Sequence, residues 1–172
     1  MLRLKMTKPP ANVLFLCTGN SARSILAEAL LNRDGGGRFR ALSAGSFPKG
    51  AVHPMALAVL RDGGFPTAGL RSKSWDEFAG AEAPPLEIIV TVCDNAAGEM
   101  CPIWPGHPLT AHWGIDDPAA AEGAGQREAF ELALRRLEGR IAAFLALPEG
   151  LDAAALKTRL RGIGQMSDAD LG

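Results

Sequence analysis

The chain contains no tyrosine, and only three cysteines and three histidines among its 172 residues. Three cysteines are too few, and odd in number, for a disulfide framework. In a reducing compartment such cysteines serve catalysis or metal binding more often than they staple a fold. The histidines (His53, His107 and His112) form no H-x3-H pair and the cysteines form no C-x2-C pair, so no metal site is expected. Charge of one sign is also missing. The net charge is −1, and without a basic field no nucleic-acid partner is expected. No apolar run reaches the roughly 18 residues of a membrane span, so no membrane association is expected. The start, Met1-Leu2-Arg3-Leu4-Lys5-Met6, lacks the apolar centre of a signal peptide, which makes a cytoplasmic location the expectation. Internal repeats and low-complexity tracts are absent as well. What remains is ordinary apolar and charged content over a length that suits one domain with one good core.

Against that background one stretch stands out, Cys17-Thr18-Gly19-Asn20-Ser21-Ala22-Arg23-Ser24. Before it, Val13-Leu14-Phe15-Leu16 reads as a buried parallel strand. After it, Ile25 to Leu31 is built of strong helix formers, so a helix is expected to open at Ser24. A loop of small residues between strand and helix makes an anion cradle, because loop amides and the helix N-terminus direct N–H groups and positive potential inward. Arg23 adds a planar fork for two oxygens of a tetrahedral oxyanion. Gly19 and Asn20 tolerate the positive φ of a tight nest. The donors that hold an oxyanion also favour a thiolate at Cys17, making its sulfur a nucleophile, and Ser24 is placed to donate to it. The plain alternative is a buried, inert cysteine at a strand end.

Strands then alternate with helices, which predicts an α/β fold with a parallel sheet covered on both faces. Gly35-Gly36-Gly37 ends the first helix, and 38–43 reads as the second strand, with Ser43 near the loop. His53-Pro54 opens a second helix, His53 being a surface or capping residue. Within 71–78, Ser74 and Glu77 fit a capping box. Residues 86–93 form the clearest later strand and again end on a cysteine, Cys93. In an open α/β sheet the carboxyl ends of the strands share one edge, so Cys17 and Cys93 are expected together. Residues 94–100 read as a marginal helix or mobile loop leading to Cys101. Residues 109–113 read as the fourth strand and 122–147 as a long amphipathic helix with a core stripe at Phe130, Leu134, Leu137, Ile141 and Phe144. A short helical pattern (Leu156, Leu160, Ile163) and a polar tail follow.

The loop, together with Ser43-Ala44-Gly45, the Cys93–Cys101 segment and His112-Trp113-Gly114-Ile115-Asp116-Asp117-Pro118, resembles the low-molecular-weight tyrosine phosphatase family and its arsenate-reductase relatives. The resemblance implies a three-layer α/β/α, phosphotyrosine phosphatase I-like fold with four parallel strands in the order 2-1-3-4. It divides the chain into a flexible lead (1–11), a phosphatase-like catalytic domain (12–147) and a C-terminal helical extension (148–172) with no assigned role. It implies oxyanion binding by Thr18, Gly19, Asn20, Ser21, Ala22, Arg23 and Ser24. Cys17 is the implied nucleophile, and Asp117 the general acid with Asp116 as runner-up. The bland reading of these aspartates is that they are favoured at a helix N-terminus by its dipole. His112 and Trp113 recur in the reductase branch and are read as structural. Ser43 is implied to lie beside Asn20. In some members an acidic residue near Lys73 helps hold potassium; no aspartate matches that place, and Lys73 is either a stand-in for the ion or a solvated lysine.

Two chemistries suit this cradle. A phosphatase needs one cysteine and one acid. An arsenate reductase needs further thiols, and every cysteine here falls on a motif position. The resemblance therefore implies arsenate reduction for detoxification, with Cys93 and Cys101 as successive resolving thiols. It implies no tightly bound cofactor, phosphate or sulfate as competing oxyanions, and thioredoxin as donor, with glutaredoxin or a low-molecular-weight thiol as alternatives. The 93–101 spacing is one residue longer than is common in thioredoxin-linked members. The tyrosine that phosphatases carry after Asp-Pro is replaced by Ala119-Ala120. A low-molecular-weight tyrosine phosphatase, or a non-catalytic oxyanion-binding module, remains open as an alternative.

Overall fold

The computed structural model describes residues 9–94 and 104–171. Its elements are β1 (Ala11–Cys17), α1 (Arg23–Asp34), β2 (Phe39–Gly45), α2 (Pro54–Asp62), a 3-10 turn (Trp75–Phe78), β3 (Ile88–Thr91), β4 (Leu109–His112), a second 3-10 turn (Pro118–Ala120), α3 (Gly125–Leu145), α4 (Ala153–Gly164) and the single turn α5 (Asp168–Leu171). The strands form one four-stranded sheet in the order β2-β1-β3-β4, and each pair is parallel. This is the order expected. Cys101 and residues 95–100 lie outside the described residues, as do residues 1–8.

β1 is central because it is apolar on both faces. Val13 and Phe15 face one core cluster and Leu14 and Leu16 the other. Helices α1, α2 and α3 cover the first face through Ile25, Leu26, Leu30, Leu60, Phe130, Leu137 and Ile141. On the second face, Trp75, Phe78, Leu86 and Trp104 cover Leu14, Leu16, Leu42 and Ile89. Among the described residues no helix is long and apolar enough to cross a membrane.

Several boundaries differ from expectation, each for a local reason. Ala11, placed in the lead, is the first residue of β1, since its N–H donates to Arg38 O at 2.9 Å. β2 runs on to Gly45 because Leu16 and Cys17 pair with Ala44 and Gly45. β3 is shorter than its β-branched run, because its ladder with β4 spans only Ile88 to Thr91. The long helix starts at Gly125 rather than Glu122, since Gly123 takes φ +62°. The capping box does not form: Ser74 Oγ accepts from Asp76 N at 3.2 Å, while the Glu77 carboxylate is drawn to Arg71 at 2.6 Å.

Candidate functional site

The site sits at the carboxyl edge of the sheet, where β1 runs into α1 through residues 18–22. No side chain caps α1, which leaves its first N–H groups for a ligand. The loop carbonyls are used up on the outside. Thr18 O accepts from Phe47 N, Gly19 O from Lys49 N and Ser72 Oγ, Ser21 O from His53 N, and Ala22 O from Leu26 N. In a trans peptide the N–H points opposite to the C=O. The amides of Gly19, Asn20, Ala22 and Arg23 therefore turn inward, and the Asn20 amide donates to Cys17 Sγ at 3.2 Å. Of the two residues expected to take positive φ, only Asn20 does, at 43°. Gly19 is small for another reason: a Cβ there would meet the Lys49 side chain at 3.2 Å. Gly45 is required more strictly, since a Cβ would come within 2.4 Å of Thr18 O and 3.0 Å of Asn20 N.

Cys17 is buried, and Ser24 Oγ lies 2.9 Å from its sulfur. Asn20 Nδ2 donates to Ser24 Oγ at 2.8 Å, which turns the serine hydrogen toward the sulfur. The Asn20 amide is oriented in turn by Lys73, whose backbone N–H donates to Oδ1 at 2.9 Å.

Lys73 is not a solvated lysine. It is 7 % exposed, and its Nζ donates to Ser43 O at 2.7 Å, Arg71 O at 2.8 Å, Ser43 Oγ at 3.2 Å and Asn20 Oδ1 at 3.4 Å. Such an oxygen set would suit a monovalent cation, and the ammonium already supplies the charge, so an additional potassium ion does not fit. Ser43, expected beside Asn20, is linked to it through Lys73. Its hydroxyl donates to Glu28 Oε2 at 2.7 Å. Burial pushes the Glu28 carboxyl up, and Lys73 pulls it partly back. Burial lowers the Lys73 ammonium, and Glu28 opposes that. Glu28 is the residue missed in the sequence. The available signal was a charge four residues after Ser24 on the buried stripe of α1.

Arg23 reaches across to the β4 exit loop. Its Nη1 donates to Ile115 O at 3.0 Å, and its Nη2 lies 3.8 Å from Asp117 Oδ2. Asp117 Oδ1 accepts from Ala119 N at 3.0 Å, so this aspartate both caps a turn and faces Arg23. Asp116 points away: it is 99 % exposed and pairs with Arg136 at 3.7 Å. The structure thus brings Asp117, not Asp116, to Arg23.

The second cysteine lies against the head of the loop. Leu16 pairs with Thr91 and Val92 N donates to Leu16 O, so the neighbouring strands deliver Cys17 and Cys93 to one edge. Cys93 is 2 % exposed, with its sulfur 3.8 Å from Thr18 Oγ1. The residue after it is held as well. His112 Nε2 contacts Asp94 Oδ1 at 2.8 Å and His112 Nδ1 contacts Thr91 Oγ1 at 2.7 Å. Trp113 is buried and donates through Nε1 to Leu160 O at 2.9 Å. His53 caps α2, its Nδ1 accepting from Met55 N at 3.0 Å. Among the described residues no group of three or more His, Cys, Asp or Glu side chains is placed to hold a metal ion.

A cysteine-headed loop with inward amides on the carboxyl edge of a 2-1-3-4 parallel sheet, with the arginine that closes the loop facing an opposing aspartate, defines a narrow class of α/β proteins. The chain belongs to the low molecular weight phosphotyrosine protein phosphatase family, whose model matches residues 12–159. An arsenate reductase of Bacillus licheniformis is 35% identical over 116 residues, covering 67% of this chain and 80% of that protein. The structure of an arsenate reductase from Archaeoglobus fulgidus shares 28% identity with a TM-score of 0.57, covering 76% of this chain and 98% of the other. A thioredoxin-dependent arsenate reductase of Corynebacterium glutamicum is 25% identical with a TM-score of 0.57; the match covers 80% of this chain and 61% of that one.

Proposed function

We propose that this chain reduces arsenate to arsenite through a relay of its three thiols, with thioredoxin as the terminal donor. The observation that carries the reading is the position of Cys93 beside the residue that follows Cys17. A hydrolase has no use for a second thiol there. Both thiols sit at the carboxyl edge of adjacent parallel strands, and a disulfide needs Cα atoms within about 7 Å. Cys93 moves toward Cys17 to form the bond. The names of the relatives support the substrate and the donor.

In the proposed sequence the oxyanion sits on the inward amides of residues 18–24 and the Arg23 fork. The Cys17 thiolate attacks arsenic and a hydroxyl leaves as water, taking the proton held by Asp117. Cys93 then attacks the Cys17 sulfur. The Cys17 S–As bond breaks and its electron pair stays with arsenic, which leaves as arsenite. Two thiols have lost two electrons and two protons, and arsenic(V) has become arsenic(III). Cys101 would next attack Cys93, releasing Cys17 and leaving a Cys93–Cys101 disulfide for the donor to reduce. Phosphate and sulfate share the tetrahedral shape and compete for the cradle. The cytoplasm, where thiol donors are reduced, suits this chemistry.

The test is arsenate-dependent NADPH oxidation with thioredoxin and thioredoxin reductase, beside hydrolysis of nitrophenyl phosphate by the same preparation. Turnover with arsenate and feeble ester hydrolysis supports the proposal. Activity only with glutaredoxin or a low-molecular-weight thiol changes the donor. Brisk ester hydrolysis without reduction by any donor would make the chain a phosphatase. That arm is a real test, because an exposed aromatic, Phe47, is tied to the loop through its N–H to Thr18 O despite the missing tyrosine.

Arg23→Lys is expected to lower kcat/KM for arsenate by about 30- to 100-fold. A point charge cannot replace the fork, and a charge-assisted hydrogen bond contributes roughly 2–3 kcal/mol. Steady-state kinetics check this, and a rate within threefold of wild type would remove Arg23 from the binding site.

A further inference from the structure

The C-terminal helix α4 lies against β4, and its contacts converge on the segment that leads into Asp117. Trp113 Nε1 donates to Leu160 O at 2.9 Å in the buried core. Arg140, on α3, is 7 % exposed and has no carboxylate ion-pair partner within the described residues. Its guanidinium instead clamps two carbonyls, Gly114 O at 3.0 Å and Gly164 O at 3.5 Å. Burying a guanidinium carries a desolvation cost, which the two carbonyl hydrogen bonds offset in part, Nε being left without a partner. Here it ties Gly114, near the head of the acid-bearing loop, to the last residue of α4. Gly164 is pressed so close that a Cβ would lie 2.1 Å from His112 O and 2.9 Å from the Trp113 ring. At the surface Arg136 adds a link, binding Asp168 at 2.7 and 2.8 Å and Asp116 at 3.7 Å.

The held segment is the one Arg23 leans on. Between Gly114 O, which Arg140 clamps, and Asp117 lies Ile115, whose carbonyl takes the Arg23 Nη1 hydrogen bond. We propose that α4 is a brace for residues 112–117, acting through Trp113, Arg140 and Gly164 to set the bearing of Arg23 on the oxyanion and of Asp117 beside it. Arg140 and Gly164 are positioning residues; neither touches the cradle. Gly164 and Asp168 lie beyond the residues that the family model matches. The inference rests on the oxyanion-cradle reading of residues 17–24 and on Asp117 as acid.

The test compares Gly164→Ala with Gly162→Ala in the full chain. Both add one methyl group to α4. At Gly162 it enters open space, whereas at Gly164 it strikes backbone and must push the helix off β4. Misplacing reacting groups by about 1 Å lowers rates up to roughly 100-fold. Gly164→Ala is therefore expected to lower kcat for arsenate roughly 10- to 100-fold. It should also weaken inorganic phosphate, measured by isothermal titration, several-fold, with KM for thioredoxin unchanged. Gly162→Ala should match wild type in all three. Arg140→Lys keeps the charge and loses the two-carbonyl clamp. It should show the same split in milder form, and it decides the matter if Gly164→Ala does not fold. Variants that lose only melting temperature, with kcat and phosphate affinity within twofold of wild type, would overturn the brace. Asp117→Asn, run alongside, separates the two readings. A wild-type rate there removes the acid, while phosphate affinity in Gly164→Ala still judges the brace through Arg23. If wild type does not reduce arsenate at all, that same affinity decides.

Discussion

Cys93→Ser is expected to bring arsenate turnover with thioredoxin down to background while leaving phosphate binding at the wild-type level. The substitution changes one atom in a buried position and keeps a hydrogen-bonding partner for Thr18 Oγ1. It leaves the inward amides of Gly19, Asn20, Ala22 and Arg23 and the Arg23 contacts to Ile115 and Asp117 untouched. What it removes is the nucleophile that must attack the Cys17 sulfur, and a neutral hydroxyl does not perform thiol–disulfide exchange. Under the proposed relay the arsenic adduct forms on Cys17 and stops there. In a hydrolase the same variant would be nearly silent, because phosphate ester cleavage needs only Cys17, Arg23 and an acid. Coupled NADPH assays with arsenate, paired with phosphate titration, read both halves of the expectation. A variant that reduces arsenate at the wild-type rate removes Cys93 from the reaction.

The second large effect belongs to Lys73→Met. The ammonium satisfies Ser43 O, Ser43 Oγ, Arg71 O and Asn20 Oδ1, and offsets the half-buried Glu28. Methionine matches its length and offers none of this. Stranding buried acceptors beside a half-buried carboxylate is expected to destabilise the fold by about 2–4 kcal/mol. The loss also reaches the site, since Asn20 orients Ser24 and Ser24 faces the Cys17 sulfur. The pH dependence has a definite sign. Burial already raises the Glu28 carboxyl, and removing Lys73 raises it further. Above the unfolded carboxyl value the folded state then binds more protons than the unfolded state, so stability falls as pH rises through the raised value. The deficit of Lys73→Met relative to wild type should therefore be larger at pH 8 than at pH 5.5, and adding Glu28→Gln should flatten that difference. Calorimetric melts at the two pH values measure it. Equal deficits, with phosphate affinity unchanged, would make Lys73 a passive filler.

The parts of this molecule legible in its residues are those where local chemistry and tertiary structure agree. Cys17 to Ser24 announces a cradle because small residues, an arginine and flanking strand and helix patterns all serve one geometry. The β-branched run ending at Cys93 places a second thiol on the same edge, since parallel strands leave no other option. The resemblance ranked Asp117, directly before Pro118, above its neighbour Asp116, and the bearing of Arg23 on Asp117 separates the two in space. Glu28 and Arg140 were invisible as site residues, because a single charge on an amphipathic stripe is ordinarily turned to solvent. Glu28 is held by the Ser43 hydroxyl with Lys73 nearby, and Arg140 by two carbonyls from distant parts of the chain. The capping box at Ser74 failed for a related reason: Arg71 competes for Glu77 more strongly than a backbone amide does. The role of 153–164 was illegible because α4 engages Trp113 and Arg140 through the carbonyls of Leu160 and Gly164, and carbonyls carry no residue identity.

The most direct test of the central claim is a single turnover without any external donor. Fully reduced protein is mixed with an excess of arsenate, arsenite is quantified, and the disulfide pattern is mapped by peptide mass spectrometry. The account predicts one arsenite per chain, the loss of two thiols, and a bond between Cys93 and Cys101 with Cys17 returned to its free form. No arsenite, with all three thiols still titratable, would contradict it.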